Sequence, residues 1–226
     1  QFPYEIDKAI PEVVHRYFAA ALGFIAILLV TFAFKYNLPK KIKAITSFLL
    51  LFICCQGLFG YLTVSLKLLP IIVTGHLFGG FITLSLFFYL FLSTTDGIRN
   101  HQIGHLKILG GIALVALLIQ IFLGVWTSTN YASLACADFP TCQGTYMPEM
   151  DFYDGFNLSQ EVGPNYLYGL LDNEARVAIH YSHRVSALVL TLIFMVLITR
   201  LWFSSAAPLA STLGVILVTQ ISLGIM

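Results

Sequence analysis

Six long apolar runs dominate the chain, and short polar clusters separate them. The runs cover roughly residues 13–35, 44–66, 71–93, 106–131, 177–200 and 208–226. A helix needs about 20 apolar residues to cross a hydrocarbon core of about 30 Å, so each run is long enough to span a bilayer. The pattern therefore predicts an all-α membrane protein with six transmembrane helices.

Composition supports this class of protein. Of the 226 residues, 58% are hydrophobic and 10% are charged, whereas charged residues make up about 25% of a typical soluble domain. The net charge of +1 gives no indication of a nucleic-acid partner. The chain begins at Gln1 and stops at Met226 inside an apolar run, so we expect a further segment at each end.

Basic residues concentrate in alternate loops, which predicts the orientation in the membrane. Such loops face the cytoplasm or the mitochondrial matrix. The N-terminal stretch, the 67–70 turn and the acidic segment 132–176 are therefore expected on the outer side. His101 and His105 fall in an inner loop and are expected to be solvated. The basic residues of the inner loops are Lys35, Lys40, Lys41, Lys43, Arg99, Lys107 and Arg200.

Four cysteines form two pairs with different expected roles. Cys136 and Cys142 lie six residues apart in the predicted outer segment, where an oxidising compartment favours a disulfide. A redox-active pair, two free thiols and, less favoured, a metal site remain as alternatives. Cys54 and Cys55 lie in the middle of an apolar run and are predicted to be small buried hydrophobic residues.

The chain contains an internal repeat. His-Arg pairs open the first and fifth runs at residues 15 and 183, which lie 168 positions apart. A Gln-x-x-x-Gly element follows in the next run of each half, at residues 56 and 220, which lie 164 apart, and a third copy begins at Gln120. Two tandem four-helix units explain this spacing if the first and last helices lie outside the sequence. The alternative is coincidence, since Gln and Gly are common in helix packing.

Histidines near the predicted outer helix ends indicate haem binding. His15 and His76 are expected at the same depth on two helices, and facing imidazoles across a bundle hold haem iron axially. Gly75, Gly79 and Gly80 clear space beside His76. A lone histidine in this setting would more often be a hydrogen-bonded packing residue. His183 repeats His15, and its partner is expected near position 240, beyond the end of the sequence.

Charged neighbours distinguish the two sites. Arg16 and Arg184 follow the candidate ligands and can pair with haem propionates or extend towards lipid headgroups. Glu12 lies one helical turn before His15 and can handle protons or stabilise charge, although an acid after Pro11 also suits a helix N-terminus. Because His180 occupies the matching position in the second half, we expect chemistry at the Glu12 site and a supporting haem at the other.

Together these motifs resemble the haem A synthase family of bacterial and mitochondrial inner membranes. The resemblance rests on the two His-Arg helix starts, the Gln-Gly-Leu-Phe-Gly-Tyr-Leu-Thr-Val segment from Gln56, and Ala-Cys-Ala-Asp-Phe-Pro-Thr-Cys from Ala135. It implies eight spans in two pseudo-symmetric four-helix bundles, divided here as 1–105 and 106–226. The family's first span with its Cys-containing loop, and its eighth span with a fourth His, are not in this sequence.

The resemblance also implies roles for the site residues. The family oxidises the C8 methyl of haem O to the formyl of haem A, which cytochrome c oxidase uses. His15 and His76 would flank the substrate haem, and Glu12 would be the catalytic carboxylate. His183 would ligate a haem b in the second half, and Cys136 and Cys142 would form a disulfide.

Two other function classes fit parts of the pattern. A b-type cytochrome electron-transfer subunit also uses His pairs, but such pairs are expected near opposite membrane faces, whereas all three candidate ligands lie towards one face. A transporter would show interrupted helices at mid-membrane. The expected partners are haem O, an electron donor protein, haem O synthase, lipid and a second copy of the chain. The expected location is the bacterial plasma membrane or mitochondrial inner membrane, with the His sites on the periplasmic or intermembrane side.

Overall fold

A computed structural model of the protein describes residues 6–94 and 104–225. Those residues form helices and loops without a β-strand, and six of the helices are long and apolar enough to cross a membrane. This confirms the all-α membrane fold and the six predicted spans, while the total of eight stays a prediction. The helices are α1 (Ile6–Lys35), α2 (Lys40–Ser65), α3 (Pro70–Thr94), α4 (Lys107–Thr129), α5 (Phe152–Gly155), α6 (Asn173–Trp202) and α7 (Ala207–Ile225).

Three transmembrane helices begin several residues earlier than the apolar runs. Helix α1 begins at Ile6 rather than near residue 13. Helix α2 begins at Lys40, directly after Pro39, whose carbonyl accepts from the Ile42 amide at 2.9 Å. Helix α6 begins at Asn173, after the extended residue Asp172. These first turns contain polar residues, so the apolar pattern does not reveal them. Polar residues can begin a helix as well as apolar ones, because the backbone N–H groups of the first turn have no partner within the helix.

The described residues form two compact units. The first unit contains residues 6–65 and 75–94, and the second contains residues 66–74 and 104–225. In the first unit, α1 packs against α2. Many large apolar side chains on these helices are exposed, as expected of helices whose outer surface meets lipid. The functional division into 1–105 and 106–226 stays a prediction.

The second unit has its own packed core. Helix α4 packs on α6, and α6 also packs on α7 and on the short helix α5. Trp126 of α4 is fully buried, and its indole Nε1–H donates to the Gly155 carbonyl at 2.8 Å. The long loop between α4 and α6, residues 130–172, is thereby fastened to the helices. The sequence did not indicate α5, which has four residues and is capped by the Asp151 carboxylate.

One prediction about the cysteines is wrong. Cys54 and Cys55 are exposed on α2 rather than buried, because small apolar side chains are equally suited to a surface that faces lipid. His105 lies exposed in a 3-10 turn, Gly104–Leu106, while His101 lies outside the described residues.

Candidate functional site

The first unit brings together the two histidines that the sequence paired. The ring centroids of His15 on α1 and His76 on α3 lie 6.2 Å apart, with an interplanar angle of 89°. Two imidazole–metal bonds of about 2 Å each, together with the two ring radii, add to roughly 6 Å. The spacing therefore fits one metal atom held between the two rings.

Glycines on α2 and α3 shape the pocket around His76. A Cβ atom at Gly60 would lie 3.2 Å from Cε1 of the His76 ring, and a Cβ atom at Gly79 would lie 1.9 Å from the Gln56 amide nitrogen. Any side chain at either position would displace its neighbour. Within the described residues, His76 Nδ1 and Gln56 Oε1 are buried without a hydrogen-bond partner. The two glycines thus leave room for the ring and for an amide one turn away.

Glycines near His76 were predicted to clear space, and they differ in what they do. A Cβ atom at Gly75 would lie 3.2 Å from the Phe59 ring, whereas one at Gly80 would meet nothing within 4 Å. Gly79 and Gly75 therefore leave room for the side chains of Gln56 and Phe59 on α2. Gly60, on the facing helix, touches the His76 ring and was noted in the sequence only as part of the repeat.

Glu12 and Arg16 pair with each other on the surface of α1. The Arg16 Nη2 donates to Glu12 Oε1 at 2.5 Å, with the two side chains 67% and 51% exposed. An exposed pair at i,i+4 stabilises a helix by only about 0.3–0.5 kcal/mol. Either group is therefore readily available to a bound ligand. Both lie within one helical turn of His15, as predicted, and their roles stay predictions.

The second unit holds His183 in a comparable pocket. Gln120 of α4 places its Nε2 atom 3.0 Å from His183 Nδ1. A Cβ atom at Gly124 would lie 3.1 Å from Cε1 of the same ring. Both units thus set a Gln-x-x-x-Gly element beside a histidine of a neighbouring helix. The sequence revealed the element but not which histidine it contacts.

A disulfide joins Cys136 and Cys142, whose Cα atoms are 4.6 Å apart. Arg184 binds the loop that this disulfide closes. Its Nη1 donates to the Asp138 and Thr141 carbonyls at 2.7 and 2.9 Å, and its Nη2 donates to the Cys136 carbonyl at 2.7 Å. The guanidinium has five N–H donors, so two further donors are available to a ligand. The predicted contact with a propionate stays a prediction.

Asp138 organises the disulfide loop from within, a role that the sequence did not indicate. Its carboxylate accepts from the Thr141 hydroxyl and from the backbone amides of Gln143 at 2.7 Å and Gly144 at 3.0 Å. These hydrogen bonds, the Thr141 hydroxyl first, lower the pKa of Asp138 to about 2 because they favour the charged form. The available signal was an acid three residues before Thr141 in a tight Cys-x₅-Cys loop.

His180, the counterpart of Glu12, also contacts this loop. The Cys136 amide donates to His180 Nδ1 at 3.4 Å. The next residue, Tyr181, donates its hydroxyl to the Tyr146 carbonyl at 3.0 Å. The turn of α6 that carries His183 is therefore fastened to the disulfide loop by the side chains of residues 180 and 184. Tyr181 fastens it to residue 146, just beyond that loop.

Comparisons with known proteins agree on one family. The family model described as cytochrome oxidase assembly protein matches residues 3–226. The haem A synthase of Shewanella oneidensis is 38% identical over 226 residues, which cover 98% of this chain and 68% of that protein. The haem A synthase of Neorickettsia sennetsu is 27% identical over 203 residues, covering 87% of this chain and 58% of that protein. No solved structure gives a significant match. By this match over nearly its full length, the chain belongs to the COX15-CtaA family of cytochrome oxidase assembly proteins.

Proposed function

We propose that the chain carries out haem A synthesis, oxidising the C8 methyl of haem O to a formyl group for use in cytochrome c oxidase. The observation that carries this proposal is the pair of facing imidazoles in the first unit, His15 and His76, with a carboxylate one turn away. The 38% identity to a haem A synthase supports the same activity. The enzyme is an oxidoreductase in the membrane, and haem O and haem A are its substrate and product.

In the first unit, His15 and His76 bind the iron of the substrate haem and thereby fix the position of the porphyrin edge that carries the C8 methyl. Methyl oxidation removes hydrogen from carbon and develops charge on the ring, which a nearby carboxylate stabilises. Glu12 supplies this carboxylate and accepts a proton. Arg16 releases Glu12 at small energetic cost because their ion pair is exposed, and it then binds a propionate.

In the second unit, His183 is a ligand of a resident haem b. The fit rests on the close approach of Gly124 to Cε1 of the ring and on a polar amide, that of Gln120, whose nitrogen lies 3.0 and 3.5 Å from the two ring nitrogens. Haem b supplies one-electron transfer when it is bound. Among the described residues, His183 would hold the iron of this haem, and the repeat predicts a second histidine near position 240. Arg184 keeps the adjacent loop in place and has two further donors for a propionate.

The partners follow from the chemistry. Oxidation of a methyl to a formyl group removes four electrons from the substrate and adds one oxygen atom. With dioxygen as the oxidant, each oxygen insertion also takes up two electrons, which we assign to a donor protein acting through haem b. A haem O synthase delivers the substrate. The His sites face the periplasm or the intermembrane space, because the basic loops lie on the opposite side.

Pigment analysis tests the proposal. The protein is expressed in cells that make haem O, purified, and analysed as the pyridine haemochrome together with its Glu12→Gln variant. We expect haem A with the native protein and its loss in the variant, while haem b remains. Glu149→Gln is the matched control, since Glu149 is an exposed carboxylate in the long loop.

The same analysis separates the proposal from its main alternative. If native protein and Glu12→Gln both contain haem b and never haem A, the chain is an electron-transfer cytochrome and the synthase activity is rejected. If the variant makes haem A at the native rate, Glu12 has no catalytic role.

A further inference from the structure

Four lysines flank the short turn between α1 and α2, where only residues 36–39 separate the two helices. One lysine is the last residue of α1, and the other three lie in the first turn of α2. All four side chains therefore begin at the same end of this helix pair. We call residues 35–43 the lysine turn; its lysines are Lys35, Lys40, Lys41 and Lys43.

The lysine turn has no counter-charge in its own part of the chain. Residues 13–95 contain no Asp or Glu, and among the residues that the structure describes no ion pair involves these lysines. Cations at the start of a helix are also disfavoured, because the aligned amide dipoles put positive charge there. Neither helix stability nor an internal ion pair therefore explains three lysines in the first turn of α2.

Exposed tyrosine rings lie beside two of the ammonium groups. Lys35 Nζ lies 5.6 Å from the centre of the Tyr36 ring, and Lys41 Nζ lies 5.2 Å from that of Tyr89. The two rings are 64% and 39% exposed. Tyrosine is enriched where a membrane protein crosses from hydrocarbon to water, and the apolar spans of α1 and α2 end and begin at this turn. The lysine charges are therefore at the depth of the lipid headgroups.

Asn37 fixes the shape of the turn. Its backbone is left-handed, with φ of 48°, which asparagine tolerates at a helix end, and the Leu38 amide donates back to the Ala33 carbonyl at 3.0 Å. Lys43 Nζ donates to Asn37 Oδ1 at 2.5 Å and lies 5.5 Å from the centre of the Phe34 ring. One lysine thus closes the turn, while the other three are exposed residues.

We propose that the lysine turn binds the phosphate groups of anionic phospholipids in the leaflet that it meets. Ammonium groups form charge-assisted hydrogen bonds with phosphate oxygens, and clustered lysines directly beside a membrane helix attract anionic lipid. The exposed apolar side chains of α1 and α2 offer a surface for the acyl chains of the same lipid. This site goes beyond the orienting effect of basic loops, which acts during insertion and requires no bound lipid.

Native mass spectrometry of the purified protein in neutral detergent tests the proposal. The protein is titrated with phosphatidylglycerol and, separately, with phosphatidylcholine. We expect the native protein to prefer phosphatidylglycerol. In Lys40→Gln/Lys41→Gln its affinity for that lipid falls about 25-fold, roughly fivefold for each lysine, while its affinity for phosphatidylcholine is unchanged. Lys107→Gln is the matched control: it removes a single exposed lysine at the start of α4 and leaves both affinities at their native values.

Salt and free phosphate provide two further measurements on the native protein, which hold even if the double variant does not fold. Raising the ionic strength from about 0.1 M to about 0.5 M weakens phosphatidylglycerol binding, because salt screens exposed charges, and leaves phosphatidylcholine binding unchanged. Inorganic phosphate in millimolar excess does not displace the lipid, since it lacks the acyl chains.

Any of four results overturns the proposal. They are equal affinity of the native protein for the two lipids, native affinity in the double variant, an equal loss in Lys107→Gln, and displacement of the lipid by inorganic phosphate, which would show a simple anion site. Haem A formation is not measured in these experiments, so their outcome and that of the proposed function are independent.

Discussion

The two histidine sites differ in how firmly their helices are held. In the first unit, His15 lies on an exposed stretch of α1, where Glu12 and Arg16 have only each other as bonding partners among the described residues. In the second unit, the turn that carries His183 is fastened to the disulfide loop by Arg184 and His180, and to residue 146 beyond it by Tyr181. A substrate must enter and leave, whereas a resident cofactor must stay. The exposed site suits exchange, and the fastened site suits retention.

Removing one histidine at a time gives the sharpest test of this division, and the largest effect. We expect His76→Ala to abolish haem O binding and haem A formation while haem b remains, and His183→Ala to abolish haem b while haem O still binds in the first unit. Each residue is a proposed axial ligand of a different haem. Haem content per protein, with electron paramagnetic resonance of the low-spin iron, measures both. Loss of both haems in either variant would show that the units do not act separately.

Opening the disulfide is expected to affect only the fastened site. Replacing Cys136 and Cys142 by serine removes a covalent constraint that contributes about 2–4 kcal/mol in proteins of known stability. The Arg184 acceptors on the loop then lose their fixed positions. We expect lower thermal stability and faster release of haem b, with haem O binding unchanged. Thermal unfolding and haem loss measure this, and Cys54→Ser with Cys55→Ser, at exposed positions, is the control. Equal release of haem O would contradict the comparison.

Acid should loosen the fastened site by a smaller amount. The pKa of Asp138 is lowered to about 2 in the folded loop, from an ordinary value of 3.8. The charged carboxylate therefore stabilises the loop fully above pH 3.8, and this stabilisation is lost as the pH falls towards 2. We expect pepsin to cut the 130–172 loop increasingly from pH 4 down to pH 2. Asp138→Asn should be cut at a rate that varies less with pH; an unchanged pH dependence would rule out Asp138 as its source.

The sequence predicts the spans and the histidine pair for physical reasons. A run of about 20 apolar residues has few alternatives to a membrane helix, and helix geometry then sets the depth of His15 and His76. Bonds to backbone carbonyls leave no comparable pattern. The sequence led to the interpretation of Arg184 as a contact for a propionate or for lipid. In the structure its three acceptors are main-chain oxygens, and because every residue has one, no sequence pattern marks them. The Gln120 contact needed the register of two helices, which periodicity does not fix.

The turn between α2 and α3 has a consequence for membrane insertion. Lys67 donates through Nζ to the Gly163 carbonyl at 2.8 Å, and the Tyr166 amide donates to the Lys67 carbonyl at 3.1 Å. Gly163 is synthesised 96 residues after Lys67, a delay of about 5–20 s at ordinary elongation rates of roughly 5–20 residues per second. During that interval the α2–α3 hairpin is in the bilayer with its turn unfastened. A newly made chain therefore passes through a stage in which this hairpin exposes the turn at Lys67 to the insertion machinery and to membrane proteases.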